Sequence, residues 1–443
     1  MAPILENRRK IVAPTGNEYV IQEFLGFDHW GEMYRVTANG CDLVLKWHYP
    51  HIPGAQRDGL ETLISQGAPS DKFLWPIEIV TDPDTSGFGY IRVFQKKKYR
   101  SIIDLMKRRI NPRFYFLATA GSSIADSMQK LHIRKMAFYD FNFSQFFFDP
   151  DNGEILIENI DDFAFYAVSK SAGGCQGTPR FMAPEIVRGE ATPDPDTDRY
   201  SLAVLLFYMF FLSHPLEGKK ESAIHVLDLR TIKKLYGDEP VFIFDPNDSS
   251  NAPDPVHHKN APVFWNIYPQ FFRDLFIRSF TDGIKDPKNG RVKESVWQSA
   301  LIKLRDSIVF CQTCGCENFH DPNEIRKPGS IHQKCWNCAE SLTLPPVIRM
   351  ENLRVMLNYN TRLYPYHINP KSYDFSKPIA EINKHPADPR LWGLKNVSPH
   401  SWQITKPDGT TMEVPSGKSI SIINGVRINF GRIEGVIRIP DLG

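Results

Sequence analysis

Five of the seven cysteines in this 443-residue chain lie within residues 311–338. Four of them form two Cys-x-x-Cys pairs, Cys311 with Cys314 and Cys335 with Cys338. Two such pairs can set four thiolates around one tetrahedral Zn²⁺ ion. The competing interpretation, in which the cysteines form disulfides, needs an oxidising compartment that nothing else in the sequence indicates. The spacing therefore predicts a zinc ribbon with a structural Zn²⁺ site, because four protein ligands leave no coordination position open for chemistry.

A second group of residues lies in the middle of the chain. The segment from Gly177 to Glu185 reads Gly-Thr-Pro-Arg-Phe-Met-Ala-Pro-Glu, Asp198 follows before an apolar run, and Arg291 comes much later. Three landmarks in this order are more specific than one short motif. They resemble the end of a protein-kinase activation segment, the buried F helix and a late-helix arginine. The resemblance implies that Glu185 pairs with Arg291. It also implies that Asp198 anchors the catalytic loop and that Thr178 belongs to the catalytic centre.

Near the N-terminus, a short segment resembles the glycine-rich phosphate loop of protein kinases. Gly26 and Gly31 occupy its first and third glycine positions, where glycine lets the backbone approach phosphate. The second position is Asp28, which puts a negative charge where phosphate oxygens are expected. The resemblance implies that Lys46, at the end of a following strand, binds the ATP phosphates. Glu61 is then its expected partner from the next helix.

The catalytic loop is expected around Asp140, in the run Phe-Tyr-Asp-Phe-Asn-Phe-Ser-Gln. By resemblance, Asp140 is the residue that orients and deprotonates the substrate hydroxyl, and Asn142 is its neighbour in the catalytic centre. Tyr139 replaces the arginine that receives an activation-loop phosphate in many kinases. Gln145 replaces the asparagine that holds a second metal ion. Its extra methylene shifts the ligand, and a misplacement of about 1 Å can cost ~10²-fold in rate.

The position of the metal-binding acid stays open among three residues. The first alternative is Asn159, whose neutral amide lacks the charge that Mg²⁺ prefers in a ligand. A hairpin two residues longer selects Asp161 instead, and a further shift selects Asp162 in a near Asp-Phe-Gly sequence. With Asn159 both expected metal ligands are amides, and together with Asp28 this indicates an impaired or absent phosphoryl-transfer centre. The resemblance implies that ATP can still bind, and Mg²⁺ binding depends on which of the three residues occupies this position.

Several short motifs resemble one bacterial protein-kinase family, which is associated with tellurite-resistance-type gene clusters. Members of that family occur beside a von Willebrand A protein and a PP2C-type phosphatase, which the resemblance implies as protein partners. The likeness covers about residues 15–340. The motifs lie at residues 73–77, 99–106, 214–218, 242–246 and 318–319.

These motifs predict an α+β multidomain protein: a bilobal protein-kinase fold, then a zinc ribbon and a small all-β sandwich-like domain. Turn residues such as those at 407–409 and the Asn-Gly pair at 424–425 separate short strands in the last domain. The predicted domains are a β-rich N-lobe at 1–98, a helical C-lobe at 99–310, the zinc ribbon at 311–344 and the β domain at 345–443.

Composition gives no reason to expect nucleic acid as a partner, because the net charge is only +2 with 23% charged residues. The N-terminus lacks the apolar core of a signal peptide. The longest apolar run, residues 202–212, is too short to span a bilayer. The sequence therefore predicts a cytoplasmic protein without membrane contact.

Three functions remain in competition. The first is a pseudokinase, in which a kinase fold serves as a nucleotide-sensing or partner-binding module in a stress-response or defence system. The second is an active Ser/Thr protein kinase with an atypical metal site. The third is a binding scaffold that works through the zinc ribbon and the β domain. The substitutions at Asp28, Gln145 and Asn159 favour the first. The second is favoured by Asp140, Lys46, Glu61 and Thr178.

Overall fold

The computed structural model describes residues 3–52, 54–95, 98–138, 140–158, 177–321, 334–351, 353–384, 388 and 391–440. The chain divides into two compact units. Unit 1 contains Met1–Trp265 and Asp274–Gln298, and unit 2 contains Asn266–Arg273 and Ser299–Gly443. Among the described residues, none of the helices combines the length and apolar character that a membrane span requires.

Unit 1 begins with a six-stranded antiparallel sheet in the order β1-β2-β3-β4-β6-β5. Buried Tyr34 and Val36 alternate with more exposed residues along β3, as expected for a strand with one face on a core. They pack with Leu45, Trp47 and Ile91 from the neighbouring strands. The elements are β1 Lys10–Val12, β2 Glu18–Phe27, β3 Gly31–Ala38, β4 Cys41–His48, helix α1 Gly54–Gln66, β5 Pro76–Asp82 and β6 Thr85–Val93.

The rest of unit 1 is mainly helical and is organised around the buried helix α5. Asp194 begins α5 with a capping box to Thr197, and Pro195 occupies the first turn, where its missing N–H costs nothing. Every residue from Tyr200 to Phe211 is buried. A three-stranded sheet, in the order β7-β8-β9, precedes α5 in the chain. The elements up to α5 are β7 Arg100–Ser101, α2 Ile102–Met106, α3 Phe114–Ile133, β8 Phe146–Phe148, β9 Ile155–Ile157, α4 Pro184–Arg188 and α5 Pro195–Phe211.

Shorter helices follow α5, and a π-helical turn at Lys234–Asp238 interrupts them. They are α6 Lys219–Ser222, α7 Leu229–Lys233, α8 Asn260–Ile267, α9 Gln270–Phe280, α10 Asp282–Lys285 and α11 Glu294–Asp306.

Unit 2 contains the two cysteine pairs and two antiparallel sheets that share one apolar core. Ile348 and Ile428 enter this core from a six-stranded sheet, and Ile382 and Leu394 enter it from a four-stranded sheet. The strand orders are β13-β12-β21-β20-β17-β18 and β14-β15-β16-β19. A separate hairpin is formed by β10 Ile308–Phe310 and β11 Glu317–Phe319.

The elements of the two sheets are β12 Val347–Met350, β13 Leu353–Met356, β14 Arg362–Leu363, helix α12 Pro365–Ile368, β15 Ala380–Lys384, β16 Trp392–Asn396, β17 Trp402–Thr405, β18 Thr411–Val414, β19 Ser419–Ser421, β20 Arg427–Asn429 and β21 Glu434–Arg438.

Candidate functional site

The loop between α3 and β8 carries Asp140 and Asn142, and Thr178, which precedes α4, lies against it. Oδ1 of Asp140 accepts a hydrogen bond of 2.8 Å from the backbone amide of Thr178. Its Oδ2 accepts one of 2.9 Å from Nδ2 of Asn142. Both oxygens of this half-buried carboxylate are thereby oriented. A carboxylate held in this way can accept the proton of a substrate hydroxyl.

Gln145 ends the same loop directly before β8 and is 8% exposed. Its Oε1 accepts a hydrogen bond of 3.3 Å from the backbone amide of Asn142. The oxygen that the sequence suggested as a metal ligand is thus used to close the turn. This oxygen has a second lone pair that could contact a cation, but the amide would contribute no negative charge.

Lys46 lies in β4 with a side chain that is 5% exposed. Its Nζ lies 2.5 Å from Oδ2 of Asp28, in the turn between β2 and β3. Gly26 and Gly31 lie on either side of that turn, in β2 and β3. The structure therefore brings the predicted phosphate loop and the predicted phosphate-binding lysine together, with the Asp28 carboxylate between them.

The expected pair of Lys46 with Glu61 is not formed, which corrects the prediction from sequence. Oε1 of Glu61 accepts a hydrogen bond of 3.1 Å from Nε of Arg57, one turn earlier on the exposed face of α1. The cause is the register of the helix. Leu60 and Leu63 are 0% and 1% exposed and occupy the core-facing side, which leaves Glu61 directed towards solvent.

Asp198 holds the catalytic loop from its buried side. Its Oδ2 accepts a hydrogen bond of 2.5 Å from the backbone amide of Phe138, two residues before Asp140. The same oxygen lies 3.0 Å from Nε2 of His132, in the last turn of α3. Nδ1 of His132 in turn lies 2.6 Å from Oε1 of Glu294. The loop is thus tied to α3, α5 and the first residue of α11.

The charges of this buried group support one another. Burial disfavours a charged imidazole, but the hydrogen bonds and charges of Asp198 and Glu294 outweigh it and raise the pKa of His132 to about 9. Burial also works against a charged Glu294, yet His132 and Arg199 bring the pKa of Glu294 down to about 2. Burial raises the pKa of Asp198 above its usual 3.8. Sequence reasoning missed His132 and Glu294, because nothing local marks either residue.

Glu185 and Arg291 meet as the sequence landmarks predicted. Nη2 of Arg291 lies 2.8 Å from the Glu185 carboxylate, and the Arg291 side chain is 2% exposed. The remaining donors of Arg291 bind the carbonyl oxygens of Asp196 at 2.9 Å and Gly283 at 3.2 Å. A buried guanidinium with this many partners fixes α4, which follows the activation-segment motif, against the helical core.

A second ion pair connects the N-terminal sheet to the strand that leads out of the catalytic loop. Nη2 of Arg92, on β6, lies 2.5 Å from Oε1 of Glu158, directly after β9. The Arg92 side chain is 5% exposed. This pair could not be predicted from the sequence, because the two residues are far apart in the chain and neither belongs to a recognised motif.

Four other residues considered in the sequence analysis lie outside the part of the chain that the structure describes. Asn159, Asp161 and Asp162, the three alternatives for the metal-binding acid, lie outside the described residues, as does Tyr139. The described strand ends at Ile157, before this segment.

The cysteine cluster consists of Cys311, Cys314, Cys335 and Cys338, whose sulfur atoms all lie within 4.8 Å of one another. The Sγ–Sγ distances are 3.5 Å for Cys311 with Cys338 and 3.6 Å for Cys314 with Cys335. These are too long for disulfide bonds. Four sulfurs at 2.3 Å from a tetrahedral Zn²⁺ would lie about 3.8 Å apart, so the cluster has the size of a metal site.

Polar groups around the cluster are arranged to support thiolates. A backbone hydrogen bond from Cys316 is the main reason why the pKa of Cys314 falls to about 6. Nδ2 of Asn318 lies 3.6 Å from Sγ of Cys335, and Oδ1 of Asn318 accepts a hydrogen bond of 3.1 Å from the Trp336 amide. Such outer contacts orient metal ligands. The orienting role of Asn318 could not be read from the spacing of the cysteines.

Comparison with known proteins agrees with the geometry of unit 1. Residues 96–262 match the protein kinase domain family. A stretch of 54 residues is 48% identical to the serine/threonine-protein kinase PknD of Chlamydia abortus. That similarity covers 12% of this chain and 6% of the relative. Residues 96–262 are therefore similar to the protein kinase domain family, and the likeness to the curated relative is confined to a small part of both proteins.

Proposed function

We propose that this protein is a pseudokinase: a protein-kinase fold with an impaired phosphoryl-transfer centre that serves as a nucleotide-sensing or partner-binding module. Its setting would be a bacterial stress-response or defence system built on a kinase and a phosphatase. The observation that carries the proposal is Gln145. At the position where a kinase holds metal, its side-chain oxygen is bound to the Asn142 amide within the loop.

The consequence for catalysis follows from charge. ATP and Mg²⁺, when bound, would supply the phosphoryl group and the positive charge that neutralises it during transfer. Asp140 is oriented to take the proton of a hydroxyl. An oriented base alone does not stabilise the charge that develops on the phosphate oxygens, and the Gln145 amide is one methylene longer than the asparagine that it replaces, which shifts the metal ligand.

The β8–β9 hairpin supports Asn159 as the residue at the position of the metal-binding acid. Phe146 lies opposite Ile157, and the Glu158 amide donates a hydrogen bond of 2.9 Å to the Gln145 carbonyl. The hairpin therefore does not contain the two additional residues that the longer alternative requires. Its regular pairing extends to the residue before Asn159. In the resembled pattern, the acid follows directly after this pairing. Both metal positions would then carry amides.

The alternative is an active Ser/Thr kinase with an atypical metal site, and one observation favours it. Asp140, Asn142 and Thr178 form a connected group of the kind that a working catalytic loop needs. Under this alternative, Asp161 or Asp162 would supply the charge that Asn159 lacks.

A phosphoryl-transfer assay separates the two. The full-length protein is incubated with γ-labelled ATP and either Mg²⁺ or Mn²⁺, and labelling is measured on the protein itself, on a generic substrate and on candidate partners. We expect wild type to label none of them above the level of the Asp140→Ala variant. Label that is transferred by wild type and lost in Asp140→Ala, with both proteins folded, would establish the active kinase instead.

We propose Zn²⁺ as the ion of the cysteine cluster, with a structural role. Support comes from the four converging sulfurs and from the backbone donors that lower the pKa of Cys314. We also propose a von Willebrand A-type protein and a PP2C-type phosphatase as partners, on the family resemblance alone. Binding of each purified partner to the full chain, measured in solution, tests that assignment.

A further inference from the structure

Asp28 is held in one place by the backbone of its own turn. Its Oδ1 accepts hydrogen bonds of 2.8 Å from the Trp30 amide and 3.1 Å from the Gly31 amide. Its backbone amide donates a hydrogen bond of 2.9 Å to the Gly31 carbonyl. The turn therefore directs two backbone N–H groups at a single carboxylate oxygen. Successive N–H groups of this kind are what a phosphate loop offers to an anion.

The second oxygen of the same carboxylate contacts the lysine. Oδ2 of Asp28 lies 2.5 Å from Nζ of Lys46, a side chain that is 5% exposed, whereas the Asp28 side chain is 37% exposed. A buried ammonium is costly unless an anion accompanies it. One carboxylate thus bridges the loop amides and the lysine, the two sets of donors that a nucleotide phosphate would use in a kinase cleft.

The backbone geometry of the hairpin explains why both of these loop positions are glycine. A Cβ on Gly31 would lie 2.1 Å from the carbonyl oxygen of Trp47, so the close pairing of β3 with β4 excludes any side chain there. Gly26 has a φ of +146°, which other residues rarely adopt. Both glycines are accounted for by the shape of the hairpin, without any phosphate in the turn.

We infer that the Asp28 carboxylate is the resident anion of this cleft, and that the cleft selects against phosphorylated nucleotides in favour of the uncharged nucleoside. A phosphate can occupy the amides of the turn only by displacing Asp28, whose Oδ1 already accepts both of them, and beside Lys46 the Asp28 carboxylate opposes a second anion by charge repulsion. The phosphates of a nucleotide therefore add no affinity. The inference rests on the proposed nucleotide-sensing function, since it concerns the same cleft.

Binding measurements on the full-length protein test this, with adenosine, ATP and inorganic pyrophosphate as probes in metal-free buffer. The variants are Asp28→Asn, which removes the charge and preserves the shape, and Asp28→Gly, which also opens the turn. The matched control is Asp42→Asn, an exposed acid on β4 in the same sheet. Isothermal titration gives the affinities, and thermal unfolding without ligand shows that each variant is folded.

We expect wild type to bind adenosine at least as tightly as ATP and to give no response to pyrophosphate. Asp28→Asn and Asp28→Gly should bind ATP and pyrophosphate about tenfold more tightly than wild type, since the donors are freed. Their affinity for adenosine should be unchanged, and the control should behave as wild type. The comparison of adenosine with ATP uses wild type alone, so it tests the inference even if both variants unfold.

Wild type that binds ATP about tenfold more tightly than adenosine, from phosphate contacts, would overturn the inference. The inference would also be overturned if none of the three probes bound wild type or either variant. That outcome would not affect the proposed absence of phosphoryl transfer. Conversely, wild type that transfers phosphate yet binds adenosine as tightly as ATP would contradict the proposed function and leave this inference standing.

Discussion

Nε2 of His132 lies 3.0 Å from Oδ2 of Asp198, the same oxygen that accepts the Phe138 amide of the catalytic loop. A charged imidazole therefore sits below the loop, between the carboxylates of Asp198 and Glu294. The Asp198 carboxylate thus connects His132 with the loop that carries Asp140.

The first prediction concerns the pH dependence of stability. The pKa of His132 is raised from 6.5 to about 9 in the folded protein. The group therefore contributes its full stability below pH ~6.5, and that contribution is lost as the pH rises through about 9. The loss should reach about 3 kcal/mol at most, taking 1.36 kcal/mol for each pKa unit. Denaturant unfolding of wild type at pH 6.5 and at pH 9.5 measures it.

The variant His132→Gln should be less stable than wild type at pH 6.5. Its free energy of unfolding should fall much less than that of wild type between pH 6.5 and pH 9.5. The control is His225→Gln, which alters an exposed histidine in the same unit. An unchanged decline in His132→Gln would show that His132 is not charged in the folded protein.

The second prediction concerns Arg291, whose guanidinium binds Glu185 and two carbonyl oxygens in the interior. The variant Arg291→Ala leaves Glu185 without its counter-ion, and breaking a buried pair in this way costs about 3–5 kcal/mol. Arg230→Ala, at an exposed position of α7, should cost less than about 0.5 kcal/mol. Urea unfolding of both variants measures the difference, and a loss below ~1 kcal/mol in Arg291→Ala would contradict a structural role for the pair.

The third prediction is that the purified chain contains about one zinc ion per molecule, held by the cysteine cluster. Elemental analysis should find it, and Cys314→Ser should release it and unfold the ribbon, because metal supplies folding energy that so small an element lacks. The control Cys41→Ser changes an exposed cysteine outside the cluster and should retain the metal. Protein without zinc, or with these cysteines joined as disulfides, would contradict the assignment.

The fourth prediction restores the metal site. The double variant Gln145→Asn with Asn159→Asp returns the shorter amide and the missing charge, so Mg²⁺ should increase the thermal stabilisation that ATP gives, an increase absent in wild type. The control is Asp161→Ala, which should change nothing if the hairpin register supports Asn159. A kinase activity of wild type that is lost in Asp161→Ala but retained in Asn159→Ala would instead select the longer hairpin.

Part of the candidate site was predictable from the order and spacing of a few residue types. Two Cys-x-x-Cys pairs bring their sulfurs together through local turns, and the structure places the four sulfurs within 4.8 Å. Glu185 and Arg291 meet as the kinase resemblance implied, although they are 106 positions apart in the chain. Asp140 and Thr178 also meet, as the resemblance implied.

The choice of partner for Lys46 was decided by tertiary structure alone. Sequence distance favoured Glu61, but α1 turns its leucines inward and Glu61 outward, while the hairpin of β2 and β3 folds Asp28 over the end of β4. His132 and Glu294 were invisible for a related reason, since they meet across 162 positions of the chain. Residue types and spacings determine which groups are present and what local turns they form. Which charges meet in the core depends on helix rotation and strand pairing, because both are set by the apolar residues that must be buried.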